Sequence, residues 1–129
     1  PGWMESDGRR FQPVRRDIDD EILARKDAPA AYHLACVVDD AASGVTLVTR
    51  GADLRPSTGV QRLLQVLLGL HEPTFLHHPL VAHEDGRRLA KRDLAPTLAA
   101  MREAGVDGRE LVRKLATGVL PSGFRLLIP

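Results

Sequence analysis

Apolar positions in this chain gather into short runs separated by Gly, Pro and Asp, and the period of the runs changes along the sequence. Ile22-Leu23-Ala24-Arg25 predicts a short strand and Asp27-Ala28-Pro29 a turn. Ala31 to Val38 predicts a second strand, apolar on both faces near its end, and two runs this close predict an antiparallel hairpin. Asp39 to Gly44 reads as a turn or one short helical turn. Val45-Thr46-Leu47-Val48-Thr49 is β-branched at four of five positions, the clearest strand signal, and ends in the polar loop Arg50-Gly51-Ala52-Asp53.

The period then becomes helical. Val60, Leu63, Leu64, Leu67 and Leu68 form an amphipathic stripe; Thr58 and Gln61 have capping-box spacing, and Gly69 stands at the stop position. Phe75 to Ala82 predicts another strand, with Pro79 confined to its start or to an edge. Pro96 predicts the first turn of a helix that buries Leu94, Leu98 and Met101 and stops at Gly105. Asp107 and Glu110 repeat the capping box, with Val106 and Leu111 in the staple positions, for a helix running to about Gly118. The apolar tail from Val119 is expected to pack back on the body.

The expected fold class is therefore α/β. Strand, helix and strand from Val45 to Ala82 make a βαβ unit whose strands should be parallel. In open parallel sheets ligands bind beyond the carboxyl ends of the strands. Arg50 stands at the end of the first strand, and the basic turn Gly86-Arg87-Arg88-Leu89-Ala90-Lys91-Arg92-Asp93 follows the second.

Composition narrows the options. With 129 residues, 43% of them hydrophobic, the chain can build a core. Lys and Arg number 18 against 17 Asp and Glu, so overall charge does not predict nucleic-acid binding and any such role must come from local clusters. One cysteine, Cys36, excludes an internal disulfide framework and a cysteine-based zinc site. No apolar run is long enough to span a membrane and no signal-peptide pattern opens the chain, so a cytoplasmic monomer is expected. The chain starts at Pro1 rather than Met, which reads as a segment of a longer protein or as a start at Met4.

Candidate chemistry is sparse. Neither G-x-x-x-x-G-K-[ST] nor G-x-G-x-x-G occurs. His71-Glu72 lacks the spacing of H-E-x-x-H, and Pro73 would break that helix. The histidines from His71 to His83 read as strand-flanking and turn residues, and no metal site is expected. Arg50 has two readings: a surface ion pair with Asp53, or a two-pronged grip on a ligand carboxylate. Tyr32 alone reads as a core or half-buried aromatic.

Three segments, in order, carry a resemblance: Tyr32-His33-Leu34-Ala35-Cys36-Val37-Val38-Asp39-Asp40; Gly44-Val45-Thr46 with Arg50-Gly51-Ala52-Asp53-Leu54; and Gly86 to Asp93. Together they resemble the second half of the glutamyl-tRNA synthetase catalytic domain, most of all its shortened relative, the glutamyl-Q tRNA(Asp) synthetase family. The similarity runs from about residue 20 to about residue 115. The resemblance implies the second half of a class I synthetase Rossmann-type domain, a parallel βαβ unit plus an antiparallel hairpin, followed by short C-terminal helices. It divides the chain into an irregular polar lead-in (1–20), the Rossmann-like half with its signature loop (21–93) and a helical segment with a tail (94–129).

The family's K-M-S-K-S loop corresponds to Arg88-Leu89-Ala90-Lys91-Arg92. The resemblance implies that Lys91 is the catalytic lysine on the ATP phosphates, with Arg88 beside it, and that Tyr32 and Arg50 bind glutamate. Ala90 replaces the motif serine and lacks its hydroxyl. The implied reaction is activation of L-glutamate with ATP, Mg2+ accompanying the nucleotide, and transfer to queuosine of tRNA(Asp). The H-I-G-H motif and the family's zinc site belong to the first half of the domain, and nothing in this chain matches them, so the chain is expected to be incomplete as an enzyme. The short stretch after Asp93 favours the glutamyl-Q type. A fragment of a discriminating glutamyl-tRNA synthetase and a non-catalytic RNA- or partner-binding remnant are the alternatives.

Overall fold

The computed structural model describes residues 1–13, 20–27, 30–89 and 97–127. Arg15 and Arg16, the Pro96 helix start with Leu94, and Ala90, Lys91 and Arg92 of the basic turn lie outside the described residues. The chain divides into two units, Pro1–His78 and Pro79–Pro129.

The first unit is built on the expected crossover. Strands β3 (Leu47–Gly51) and β4 (Thr74–His78) pair in parallel, Leu47 opposite Thr74 and Arg50 opposite His77, and helix α2 (Arg55–Leu67) connects them. Two short strands, β1 (Trp3–Met4) and β2 (Arg10–Phe11), pair antiparallel within the polar lead-in. A parallel bridge from Glu5 to Phe75 and the Ser6 amide on the Phe75 carbonyl at 2.7 Å tie this hairpin to β4. Trp3, stacked on Phe11 with centroids 5.8 Å apart, is the apolar anchor of the lead-in.

Two sequence expectations change here. Ala31 to Val38 is not a strand: Tyr32–Ala42 is helix α1, and no hairpin joins it to residues 22–25. An unbroken apolar run carries no period that separates a buried strand from a helix. Packing decides it, since Val37 of α1 closes a core with Val60 and Leu64 of α2, flanked by Leu70. The antiparallel pairings lie elsewhere, in β1–β2 and in the second unit.

Helix α2 also starts earlier than its capping-box spacing implied. A 3-10 turn, Ala52–Leu54, leads into Arg55, and Pro56 sits in the first turn, where its missing N–H leaves no bond unmade. Thr58 is consequently inside the helix, fully buried, its hydroxyl 3.2 Å from the Leu54 carbonyl. Only part of the Leu stripe faces inward: Val60 and Leu64 are buried, whereas Leu67 and Leu68 are exposed and Gln61, Arg62 and Gln65 take their place. Arg62 is compensated by Glu72 at 2.6 Å and by Gln65 at 3.4 Å. Gly69, at φ +66°, ends the helix as its position predicts.

In the second unit, β5 (Leu80–His83) pairs antiparallel with β6 (Phe124–Leu127), so the apolar tail returns as a strand. Pro79 splits the predicted strand Phe75–Ala82 into β4 and β5. Helices α3 (Leu98–Glu103) and α4 (Gly108–Ala116) are short. Thr97 caps the first by accepting from the Ala100 amide, and Asp107 caps the second from the Glu110 amide at 2.8 Å, as its spacing predicts. Among the described residues Ala82 is the one apolar residue of this unit that is fully buried.

Candidate functional site

Arg50 is positioned by the carboxyl end of β3 and by the ring of Phe75. Its guanidinium lies 5.3 Å from the centroid of Phe75, and Nη1 donates to the Thr58 hydroxyl at 3.4 Å. None of the ion pairs seen among the described residues involves Arg50. Burial lowers its pKa, while Tyr32, Cys36 and Asp40 act to raise it.

Tyr32 opens α1 rather than sitting in a strand. Helical spacing sets Tyr32, Cys36 and Asp40 one turn apart on one face. The side-chain hydrogen bond and electrostatic interaction with Cys36 raise the Tyr32 pKa, burial adds to this, and Arg50 pulls it down. The structure thus brings Tyr32 and Arg50, predicted as a pair, within electrostatic reach of each other, and adds Cys36 and Asp40 to the same neighbourhood. Tyr32 is 68% exposed and also lines a cleft of about 560 Å³ with Arg25, Ala31 and His33.

Behind Arg50 lies a group of polar side chains that the sequence did not single out. His77, its side chain 0% exposed, places Nε2 2.9 Å from Thr58 Oγ1 and Nδ1 2.5 Å from Glu5 Oε1. The Trp3 indole donates to the same carboxylate oxygen at 3.0 Å, and the His77 amide reaches Oε2 at 3.4 Å. Burial lowers the His77 pKa against the opposing pull of Glu5, with Arg55 and Arg50 reinforcing the shift. Burial alone would raise the Glu5 carboxyl; the bonds from Trp3 and His77 outweigh it and the net shift is downward. One signal was available: Phe75 and His77 alternate onto one face of β4. Nothing marked Glu5.

The remaining histidines are dispersed. His71 donates to the Val45 carbonyl at 2.7 Å, His33 meets Gln61 at 3.4 Å and His83 stacks on Phe124. Among the described residues no group of three or more His, Cys, Asp and Glu gathers for a metal.

The basic turn belongs to the second unit. Asp85 accepts from the Arg87 amide at 2.9 Å and from its Nε at 2.7 Å, and Gly86 takes φ +89°, a conformation open to glycine. The turn then sets Arg88 in an antiparallel bridge with Ala82, with Leu89 next in the chain. Lys91 follows outside the described residues.

Residues 10–123 match the family described as tRNA synthetases class I (E and Q), catalytic domain. The chain is 52% identical over 101 residues to the glutamyl-Q tRNA(Asp) synthetase of Nocardia farcinica, covering 78% of this chain and 32% of that protein. It is 46% identical over 114 residues to the glutamyl-Q tRNA(Asp) synthetase of Deinococcus radiodurans, covering 88% and 39%. The glutamate-tRNA synthetase of Elizabethkingia anophelis has a similar structure, with a TM-score of 0.62 at 30% identity over 72% of this chain and 19% of that one. The fold class is the expected α/β, of the class I Rossmann type. The chain spans about a third of the length of the curated relatives it matches. Over nearly its whole length, this chain belongs to the class I tRNA synthetases (E and Q), within their catalytic domain.

Proposed function

We propose that this chain supplies the glutamate-gripping and phosphate-gripping part of a ligase that activates glutamate with ATP and transfers the glutamyl group to the queuosine base of tRNA(Asp). The observation that carries the reading is Arg50. It is a half-buried guanidinium held by Thr58 and Phe75, without an ion-pair partner among the described residues, and it shares an electrostatic neighbourhood with the Tyr32 hydroxyl. A charge held this way suits a two-pronged contact with a carboxylate.

In the reaction a glutamate carboxylate oxygen attacks the α-phosphorus of ATP and pyrophosphate leaves. The tRNA nucleophile then attacks the activated acyl carbon and AMP leaves. Lys91, with Arg88, would hold the phosphates and meet the charge that builds on them. Mg2+ would enter on the nucleotide. Identities of 44–53% to proteins named glutamyl-Q tRNA(Asp) synthetase, against 30% to solved glutamate-tRNA synthetases, favour queuosine over the tRNA 3′ end as acceptor. A monomer in the cytoplasm goes with this reading; among the described residues no helix is long and apolar enough to cross a membrane.

Glutamate-dependent ATP–pyrophosphate exchange tests it, in the chain alone and in the chain supplemented with the part of the Nocardia farcinica relative that this chain does not cover. Exchange is expected only in the supplemented form, followed by glutamate transfer to queuosine-containing tRNA(Asp). No exchange in either form would sink the reading, and charging of tRNA(Glu) instead would move the assignment to the glutamyl-tRNA synthetase type.

A further inference from the structure

Five side chains of the first unit meet in one unbroken line: Trp3 of β1, Glu5 just after it, His77 of β4, Thr58 of α2 and Arg50 of β3. Its atoms run Trp3 Nε1, Glu5 Oε1, His77 Nδ1, His77 Nε2, Thr58 Oγ1 and Arg50 Nη1, with successive separations of 3.0, 2.5, 2.9 and 3.4 Å across the four hydrogen bonds. The proton positions follow from what each group can do. An ionised Glu5 only accepts, so His77 Nδ1 carries a proton. With a neutral ring, Nε2 offers a lone pair and the Thr58 hydroxyl donates to it. The Thr58 oxygen then faces Arg50 as an acceptor, and the Leu54 carbonyl, 3.2 Å away, is the hydroxyl's alternative partner.

We propose that Glu5, His77 and Thr58 are positioning residues for Arg50: the carboxylate fixes the imidazole, the imidazole aims the hydroxyl, and the hydroxyl holds one guanidinium nitrogen. With Nη1 held by Thr58 and the guanidinium carbon 5.3 Å from the Phe75 centroid, Nε and Nη2, which bond to no other described residue, suit a carboxylate. The inference deepens the glutamate-binding reading of Arg50 and rests on it. The order carboxylate, imidazole, hydroxyl is also that of a hydrolase triad. Here the hydroxyl is 0% exposed inside α2 and faces a guanidinium, so no substrate reaches it as a nucleophile. Arg55 and Arg50 are the cations that act on His77, and both disfavour a second proton on the ring.

Nitrogen-15 NMR of the chain as it stands tests the line itself. His77 should be the neutral Nδ1–H tautomer with Nε2 accepting a hydrogen bond. Thr58→Val, nearly isosteric, should release Nε2 and speed rotation of the Arg50 guanidinium, and Thr58→Ser should restore both. An Nε2–H tautomer, or an Arg50 guanidinium indifferent to Thr58→Val, overturns the proposal. In the supplemented chain, Thr58→Val should raise the glutamate KM about three- to tenfold with kcat and the ATP KM nearly unchanged. If Arg50→Ala raises the glutamate KM and Thr58→Val does not, the positioning line fails while the Arg50 reading stands. If Arg50→Ala leaves the glutamate KM unchanged, the reading of Arg50 fails and takes this proposal with it.

Discussion

Arg50 lies over the ring of Phe75, 5.3 Å from its centroid, so the charge and the surface that orients it come from two strands paired in parallel. Lysine keeps the charge but has neither the fork nor the flat face. Arg50→Lys should therefore raise the glutamate KM by about tenfold or more and leave the ATP KM within about twofold. Pyrophosphate exchange at varied glutamate and varied ATP measures both; a lysine variant with ordinary glutamate affinity would remove Arg50 from the carboxylate site.

Lys91 is expected to behave in the opposite way. On the proposed role of Lys91, in which its charge meets the phosphates as the adenylate forms, the loss in Lys91→Ala should fall on kcat for exchange, about a hundredfold or more, with a small change in the glutamate KM. Similar small effects from Lys91→Ala and Arg50→Ala would undo the division of roles.

Acid should weaken the first unit in two stages. Because burial holds His77 below its ordinary 6.5, the unfolded chain takes up this proton before the folded one. The stability that depends on the neutral ring is complete above pH 6.5 and is lost as pH falls through the lowered folded value. Glu5, also lowered, adds stability that is complete above 4.5 and is lost below that. Trp3, the single tryptophan, donates to Glu5, so its fluorescence reports on this unit. Urea midpoints followed by that signal should decline from about pH 6.5 downward, and His77→Gln should flatten the upper part of the decline. An unaltered decline in the variant would assign the effect to other groups.

The Arg62–Glu72 pair gives a stability test away from the site. Arg62 is 10% exposed at its side chain and its Nη2 rests on Glu72 at 2.6 Å. Glu72→Ala leaves that charge buried without its carboxylate and should cost about 3 kcal/mol by urea unfolding. A loss near zero would mean that the guanidinium finds water.

The crossover was legible because β3 is β-branched and α2 is periodic, two signals with unmistakable repeats. The α4 cap was legible because Asp107 and Glu110 stand at fixed spacing. Helix α1 was not, since Ala31 to Val38 is apolar without a period, and only Val37 against Val60 and Leu64 decides its form. Arg50 and Tyr32 were named together from the resemblance, and the fold sets them within electrostatic reach of each other. Thr58 was misread as a cap because Pro56, two residues earlier, provides the better helix start. His77 was set aside with the other histidines, because its two partners, Glu5 and Thr58, are distant in sequence and only the fold joins them.

The lead-in has a practical consequence for protein engineering. Trp3 is buried, and a side chain at Gly2 would collide with the Phe11 carbonyl oxygen. A polypeptide joined at Pro1 therefore transmits any strain, through Trp3 and Glu5, to the imidazole behind Arg50. On the proposed role of Arg50, linkers at this end are best graded by glutamate KM as well as by yield, because one line of hydrogen bonds joins Trp3 beside the junction to Arg50.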